Sequence, residues 1–395
     1  MHGKILSQVT VIDMTEGVAG PYAATLLGDM GARVIKVERQ EGDWQRSAGK
    51  GGAQFIALNR NKRDIGVDLG TADGRRIVER LVSRADVVLS NYRAGVMAKL
   101  GFGYARCKEL RPDIIYCTIS GFGQDGAYAQ LPASDTILQA ISGVMNVVGE
   151  ADGPPLRVGF PLIDMTAANY AVQSVLLALY GRLSGQGGAN IDVSLMAAAA
   201  ALMPGSFTDY LASGALPARQ GNQNTLLAPA GAYQVAGGRF IAIAVLRDSH
   251  WKKFCTAIAR DDLAADVRFA TNGQRLQHRA ELDAIIVPLL AAQPADVWIE
   301  KLRAADILCG PINSVADVLA DPALAACLPL IDTGLPGAPR TLGAPIRYNG
   351  EFFTADRPPP AKGQHTREVL AEFGFTAEEI EAFLGAGSAF TTKAG

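Results

Sequence analysis

Residues 9–37 read VTVIDMTEGVAGPYAATLLGDMGARVIKV, and the fold class turns on them. Val9 to Asp13 is a strand-length run rich in β-branched residues. Pro21 to Met30 is helix-like, with its proline suited to a first turn, and Arg33 to Val37 returns as a strand. A strand, a helix and a second strand in this order form the unit that joins two parallel strands through a crossover. The same pattern continues with strands at Asp86 to Leu89 and Asp113 to Cys117. Thr71 to Arg84 is a helix with Ile77, Leu81 and Val82 on one face. Alternation of this kind predicts an α/β fold, a parallel sheet covered by helices.

Further along, Asp164 to about Leu183 reads as one mostly buried helix, ended by Gly185, Gly187 and Gly188, with a strand at Ile191 to Leu195. With 395 residues, 49% of them hydrophobic, the chain exceeds the usual size of one compact domain. The Gly- and Pro-containing stretch 204–228 predicts a linker after a first domain at 1–203. A strand at Gly238 to Val245 and helical segments around Trp251 to Ile258, Arg279 to Leu290 and Pro294 to Ala304 predict a smaller α/β domain at 229–321. Residues 322–360 are punctuated by proline and glycine and return the chain. Thr366 to Phe373 and Thr376 to Leu384 read as two helices within 361–395.

A net charge of −2 over this length argues against a nucleic-acid footprint or a polybasic membrane contact, so any anion must be met locally. Val9 to Met14 is too short and interrupted to be a signal or spanning segment, and a cytoplasmic protein is expected. The five cysteines, Cys107, Cys117, Cys255, Cys309 and Cys327, are widely spaced, without a Cys-x-x-Cys pair, and read as reduced thiols. His2, His250, His278 and His365 form no metal-ligand pattern, so no metal is expected and the chemistry falls to carboxylates, amides and backbone.

Asp164, in GFPLIDMT (159–166), stands between an apolar approach and the start of the long helix. One reading makes it a helix N-cap, whose oxygen accepts an orphan backbone N–H. The other makes it a nucleophile kept ionised by the helix dipole, needing no separate base. The two readings are compatible.

Gly121-Phe122-Gly123-Gln124-Asp125-Gly126 matches the Gly-x-Gly-x-x-Gly dinucleotide pattern, but Pro132 falls where the following helix should run. A tight loop beside an active crevice is the other reading. Basic residues gather at Arg33, Lys36 and Arg39, at Arg60, Lys62 and Arg63, and at Arg93 and Lys99. Such clusters are commonly solvated faces, yet Arg39 and Arg93 lie just beyond strands, where open α/β sheets place ligand crevices. Gln223 and Asn224 lie on a loop that is either a plain linker or a source of amide and backbone donors to a carboxylate.

Five segments, VIDMTEGVAGPYAATLLGDMGARVIKVE (11–38), NRNKRDIGVDL (59–69), ADVVLSNYRAG (85–95), GFGQDGAYA (121–129) and PLIDMTAANYAV (161–172), together resemble the family III CoA-transferases. This group contains formyl-CoA and carnitine CoA-transferases. The likeness extends to ILCGPINSVADVLADP (307–322) and KGQHTREVLAEFGF (362–375), so it spans nearly the whole chain.

The resemblance implies a large doubly wound domain, completed by the C-terminal helices, a smaller domain, and two subunits threaded through each other as an interlocked homodimer. It implies that Asp164 forms a mixed anhydride with the acyl donor and then an aspartyl-CoA thioester. Coenzyme A would enter as a thioester substrate, with no permanently bound cofactor. The positions the resemblance assigns to CoA contacts are Val18, Ala19, Arg39, Val67, Leu69, Asn91, Tyr92, Arg93, Lys99 and Ser134. The segment Leu131 to Asp135 departs from the family by lacking the lysine and tyrosine of formyl-CoA transferase, which argues against an oxalate-type substrate.

The same fold hosts 2-methylacyl-CoA racemases, whose catalytic histidine aligns with Ser134; without an imidazole, two-base proton transfer loses a partner. An NAD-dependent oxidoreductase using the Gly121 loop is the alternative from another class. The loop around Asn222 resembles the branch that moves CoA from succinyl-CoA to dicarboxylic acids. Acyl-CoA and a small carboxylic acid are therefore the expected partners.

Overall fold

The computed structural model describes residues 4–335 and 338–392, and His2 lies outside them. The chain divides into two compact units. One comprises Met1–Met145, Arg157–Ala215 and Leu328–Gly395; the other comprises Asn146–Leu156 and Leu216–Cys327.

In the first unit, β1 (Thr10–Met14), β2 (Arg33–Glu38), β3 (Lys62–Val67), β4 (Val87–Ser90), β5 (Ile115–Ser120) and β6 (Ala189–Ser194) run parallel. The short strand Ala389–Phe390 pairs antiparallel with β3, giving seven strands in the order Ala389–Phe390, β3, β2, β1, β4, β5, β6. The order therefore reverses at β1, which has β2 on one side and β4 on the other. Their carboxyl ends frame the crevice where open α/β sheets bind ligands.

Side chains alternate across the sheet. Val11, Val34 and Val87 join one core, while Ile12, Ile35 and Val88 join the other. The first core is covered by α1 (Ala19–Asp29) and the long α4 (Leu162–Leu183), with α3 (Asp135–Ile141) at its margin. The second is covered by α2 (Ala72–Val82) and the helix Thr366–Glu372. Both faces are thus buried, and β1 has no exposed residue. The expected α/β class and the mostly parallel sheet are both observed.

Ala167, Ala168 and Ala171 let α4 approach the sheet closely, and it packs on β5, β6 and α1. Its 22 residues, with a mean hydropathy of 1.3, make it long and apolar enough to cross a membrane. Its inner face is the floor of a protein core, whereas Leu177, Tyr180 and Leu183 are 72%, 70% and 88% exposed on the outer face.

Two readings of the sequence are corrected. Lys62 and Arg63, read with Arg60 as a basic cluster, lie on the buried strand β3. Lys36 and Lys62 are wholly interior rather than solvated. Lys62 Nζ donates to Asp13 Oδ2 (2.8 Å), the Pro21 carbonyl (2.9 Å) and Asn59 Oδ1 (2.8 Å). Lys36 Nζ donates to the Thr15 carbonyl (2.7 Å) and Asp43 Oδ2 (3.1 Å). Burial raises the Asp13 carboxyl, but the two ammonium groups outweigh it and hold the group below the usual carboxylate range. In addition, residues 204–213, within the stretch read as a linker, are helical (Pro204–Ser213), with proline in the first turn.

The second unit holds an antiparallel sheet of β7 (Ala230–Gln234), β8 (Phe240–Ala244) and β9 (Leu308–Pro311). Trp251, Phe254, Phe269, Leu282 and Trp298 fill its core, contributed largely by the helices Asp248–Ala257, Arg279–Ala291 and Ala295–Ala304. The interior Arg275 is satisfied by the carbonyls of Ala228 and Phe269.

Candidate active site

A cavity of about 440 Å³ opens at the carboxyl ends of the central strands of the first unit. Its first wall is the turn after β1. Gly17 has φ of 79°, a left-handed conformation costly for residues with a side chain. At Gly20, a Cβ would come within 2.3 Å of the Thr15 side chain, so only glycine lets α1 start against the strand end. Below this turn sits the lysine cluster: Lys36 holds the Thr15 carbonyl, and Asp43 accepts the Gly17 N–H at 3.2 Å.

Asn91, just past β4, stitches the turn to the next strand. Its Oδ1 accepts the Glu16 N–H (3.0 Å), and its Nδ2 donates to the Glu16 carbonyl (2.6 Å). The Glu16 carboxylate accepts the Tyr92 hydroxyl (3.2 Å) and the Arg39 guanidinium (3.3 Å). Burial, with Glu16 beside it, pushes the Tyr92 hydroxyl up to about 12, so it stays a proton donor in this contact.

The opposite wall is built by α3 and the start of α4. Ser134 caps α3, its hydroxyl accepting the Ile137 N–H. Asp135 follows, and its Oδ1 accepts the backbone N–H groups of Ile163 (2.8 Å) and Asp164 (3.3 Å). Its Oδ2 accepts Gln139 Nε2 at 2.6 Å. The cap of α4 is therefore supplied by Asp135 from a different helix.

The N-cap reading of Asp164 is accordingly corrected: α4 begins at Leu162, and Asp164 lies inside its first turn. Its carboxylate accepts no hydrogen bond among the described residues and faces the cavity. The expectation that the helix start keeps it ionised is also revised. Burial, and then the charge of Asp135, raise it to about 7. Near neutral pH both its acid and its carboxylate forms are therefore accessible.

Of the residues singled out in the sequence, Val18, Ala19, Asn91, Ser134 and Asp164 line this cavity together. Arg39 and Tyr92 join it through Glu16. Val67, Leu69, Arg93 and Lys99 are not among its lining residues. Val67 ends β3 opposite Ala389, Arg93 contacts the Gln130 carbonyl at 3.4 Å, and Lys99 ends the short helix Val96–Lys99. Gln223 and Asn224 belong to the second unit, lining a cavity of about 750 Å³ there. Gln223 Nε2 donates to Asp283 at 2.9 Å, and Asn224 Oδ1 accepts the Leu226 N–H at 2.8 Å.

Glu16, Asp135, Arg157 and Ser120 were missed. Asp135 carried a usable signal, a Ser-Asp pair opening a helix with Gln139 one turn later. The Gly121 loop does not open a helix: the next one begins at Asp135, so the helix N-terminus that a pyrophosphate needs is missing from the dinucleotide pattern. Among the described residues there is no cluster of three or more metal-ligating side chains.

Residues 6–366 match the model of CoA-transferase family III. The succinate–glutarate CoA-transferase of Agrobacterium fabrum is 35% identical over 388 residues, covering 93% of this chain and 95% of the relative. The acetyl-CoA:oxalate CoA-transferase of Acetobacter aceti is 36% identical over 354 residues, covering 88% and 90% respectively. Among solved structures, a CAIB/BAIF family protein from Brucella suis superposes with a TM-score of 0.85 at 35% identity, over 94% of this chain and 100% of that one. The chain belongs to CoA-transferase family III and is an enzyme of the CoA-transferring type.

Proposed function

We propose that the enzyme moves CoA from an acyl-CoA donor to a carboxylic acid through covalent intermediates on Asp164, with succinyl-CoA as donor and a dicarboxylic acid as acceptor. The observation that carries this reading is the Asp164 carboxyl itself: it lines the cavity and accepts no hydrogen bond among the described residues, because Asp135 has taken over the capping of α4. Both relatives named above bear a dicarboxylic acid in their names, which supports the acceptor class.

The steps follow from the chemistry of a carboxylate nucleophile. An Asp164 oxygen attacks the thioester carbonyl, the C–S bond breaks, and CoA thiolate leaves a mixed anhydride. The thiolate then attacks the aspartyl carbonyl carbon, forming the aspartyl-CoA thioester and expelling the donor acid as its carboxylate. The acceptor carboxylate attacks that thioester, releasing thiolate and forming a second anhydride. Thiolate attack on the acceptor's carbonyl then gives the new acyl-CoA and returns Asp164 as a carboxylate. No net proton is consumed and the thioester is conserved, so one difficult exchange is divided into easier ones.

Val18, Ala19 and Asn91 are assigned to the CoA chain, with Arg39 and Lys99 toward its phosphates. Val67, Leu69, Tyr92 and Arg93 are assigned to its flanks, and Ser134 to the acyl end. The loop of Gln223 and Asn224 is assigned to substrate or intermediate. The enzyme is proposed to work as an interlocked homodimer in the cytoplasm, the exposed apolar face of α4 being suited to a protein contact.

Incubation with acyl-CoA followed by acid quench and intact mass measurement should reveal an adduct that peptide mapping places on Asp164. Full transfer activity in Asp164→Ala would refute the mechanism.

A further inference from the structure

Arg157 lines the same cavity as Asp164 and is the only cation among the described lining residues. It makes no ion pair or side-chain hydrogen bond with any described residue. Neighbouring cations are committed: Arg39 to Glu16 and Glu41, Lys36 to Asp43 and Thr15. The two groups share a cavity without forming a pair.

The segment carrying Arg157 is anchored beside the nucleophile. The next residue, Val158, donates its N–H to Gln139 Oε1 at 2.9 Å. Gln139 is fully buried, and its Nε2 donates to Asp135 at 2.6 Å and to the Phe160 carbonyl at 3.4 Å. Asp135 in turn holds the Ile163 and Asp164 N–H groups. One buried amide thus ties the backbone under Arg157 to the cap under Asp164.

We infer that Arg157 receives the distal carboxylate of the dicarboxylic substrate while the near carboxylate reacts at Asp164. This rests on the CoA-transfer reading and names the residue that selects the substrate class. A guanidinium offers two parallel N–H donors to a carboxylate, which a monocarboxylic acid or an amide cannot engage as an ion pair. Donor and acceptor pass through equivalent anhydrides on the same aspartate, so one arginine reads both.

The test compares succinate and glutarate with their monoamides as acceptors, with acetyl-CoA as donor, in the full-length enzyme and in Arg157→Leu and Arg157→Lys. The wild-type enzyme should prefer each diacid over its monoamide by about tenfold to a hundredfold in kcat/KM, the range of one charge-assisted contact. Arg157→Leu should abolish that preference by lowering kcat/KM for the diacid alone, Arg157→Lys should keep part of it, and the Kd for free CoA should be unchanged in both. A wild-type enzyme indifferent to the distal charge would overturn the inference. So would a parallel loss for diacid and monoamide, or weaker binding of free CoA in Arg157→Leu, which would make Arg157 a phosphate ligand. Failure of every acyl-CoA to label Asp164 in the wild-type protein would instead refute the reading beneath it.

Discussion

Asp135 caps the helix on which Asp164 stands: its Oδ1 accepts the Asp164 N–H at 3.3 Å and the Ile163 N–H at 2.8 Å. One carboxylate therefore orients the other and, by its charge, adds to the burial that makes it harder to ionise. The arrangement frees the Asp164 oxygens from capping, and it makes the ionised fraction of Asp164 depend on pH near neutrality.

The first prediction concerns that dependence. With Asp164 raised to about 7 in the free enzyme, kcat/KM for acyl-CoA should climb with pH to a plateau, with its midpoint in that region. Asp135→Asn keeps a carbonyl oxygen for capping but removes the charge, so the midpoint should move to lower pH. A pH–rate profile with an unmoved midpoint would show that Asp135 does not act on Asp164 electrostatically.

Stability carries the same signature with a definite sign. The native state holds the Asp164 proton more tightly than the unfolded chain, in which an aspartate titrates near about 3.9. Stability contributed by this group is therefore present at low pH and lost as pH rises from about 4 to about 7. Asp164→Asn should raise stability at pH 8 by about 1–3 kcal/mol and change it little at pH 4, as read by denaturant unfolding at the two values.

Beneath the β1–α1 turn, Lys62 is surrounded by Asp13, Asn59 and the Pro21 carbonyl, all within 2.9 Å. Lys62→Met would leave the Asp13 carboxylate buried with one fewer countercharge. A loss of about 3–5 kcal/mol is expected, because removing one partner strands the other. Thermal or denaturant unfolding with a loss below ~1 kcal/mol would show that the cluster is replaceable.

The outer side of α4 leads to a fourth expectation. Leu177, Tyr180 and Leu183 expose a contiguous apolar strip that water would solvate poorly. Sedimentation should give a mass of two chains that persists on dilution, and the pair Tyr180→Glu and Leu183→Glu should lower the yield of dimer. A wild-type monomer at all concentrations would contradict the proposed assembly.

The α/β class was legible in residues 9–37 because buried parallel strands are runs of β-branched residues and their crossover helices have a different period. Lys62–Val67 escaped because its sequence, KRDIGV, carries three charged residues. Their partners, Asp13, Glu368 and Arg46 among them, lie far away in the chain, so their burial cannot be read locally. Asp164 was singled out through its setting before an apolar helix, but the reading of it as a cap is corrected, since the capping group comes from residue 135. Asp135, Gln139 and Arg157 form one linked set only after α3 and α4 pack together. No spacing in the sequence announces that contact.

The most direct test of the central claim follows oxygen. In a single turnover of the aspartyl-CoA enzyme with an acceptor acid labelled in its carboxylate with oxygen-18, the anhydride route leaves one labelled oxygen on Asp164 and one in the product thioester. Mass spectrometry of the peptide containing Asp164 should find that single label, absent in Asp164→Ala. Formation of labelled product with an unlabelled Asp164 would contradict covalent transfer through this residue.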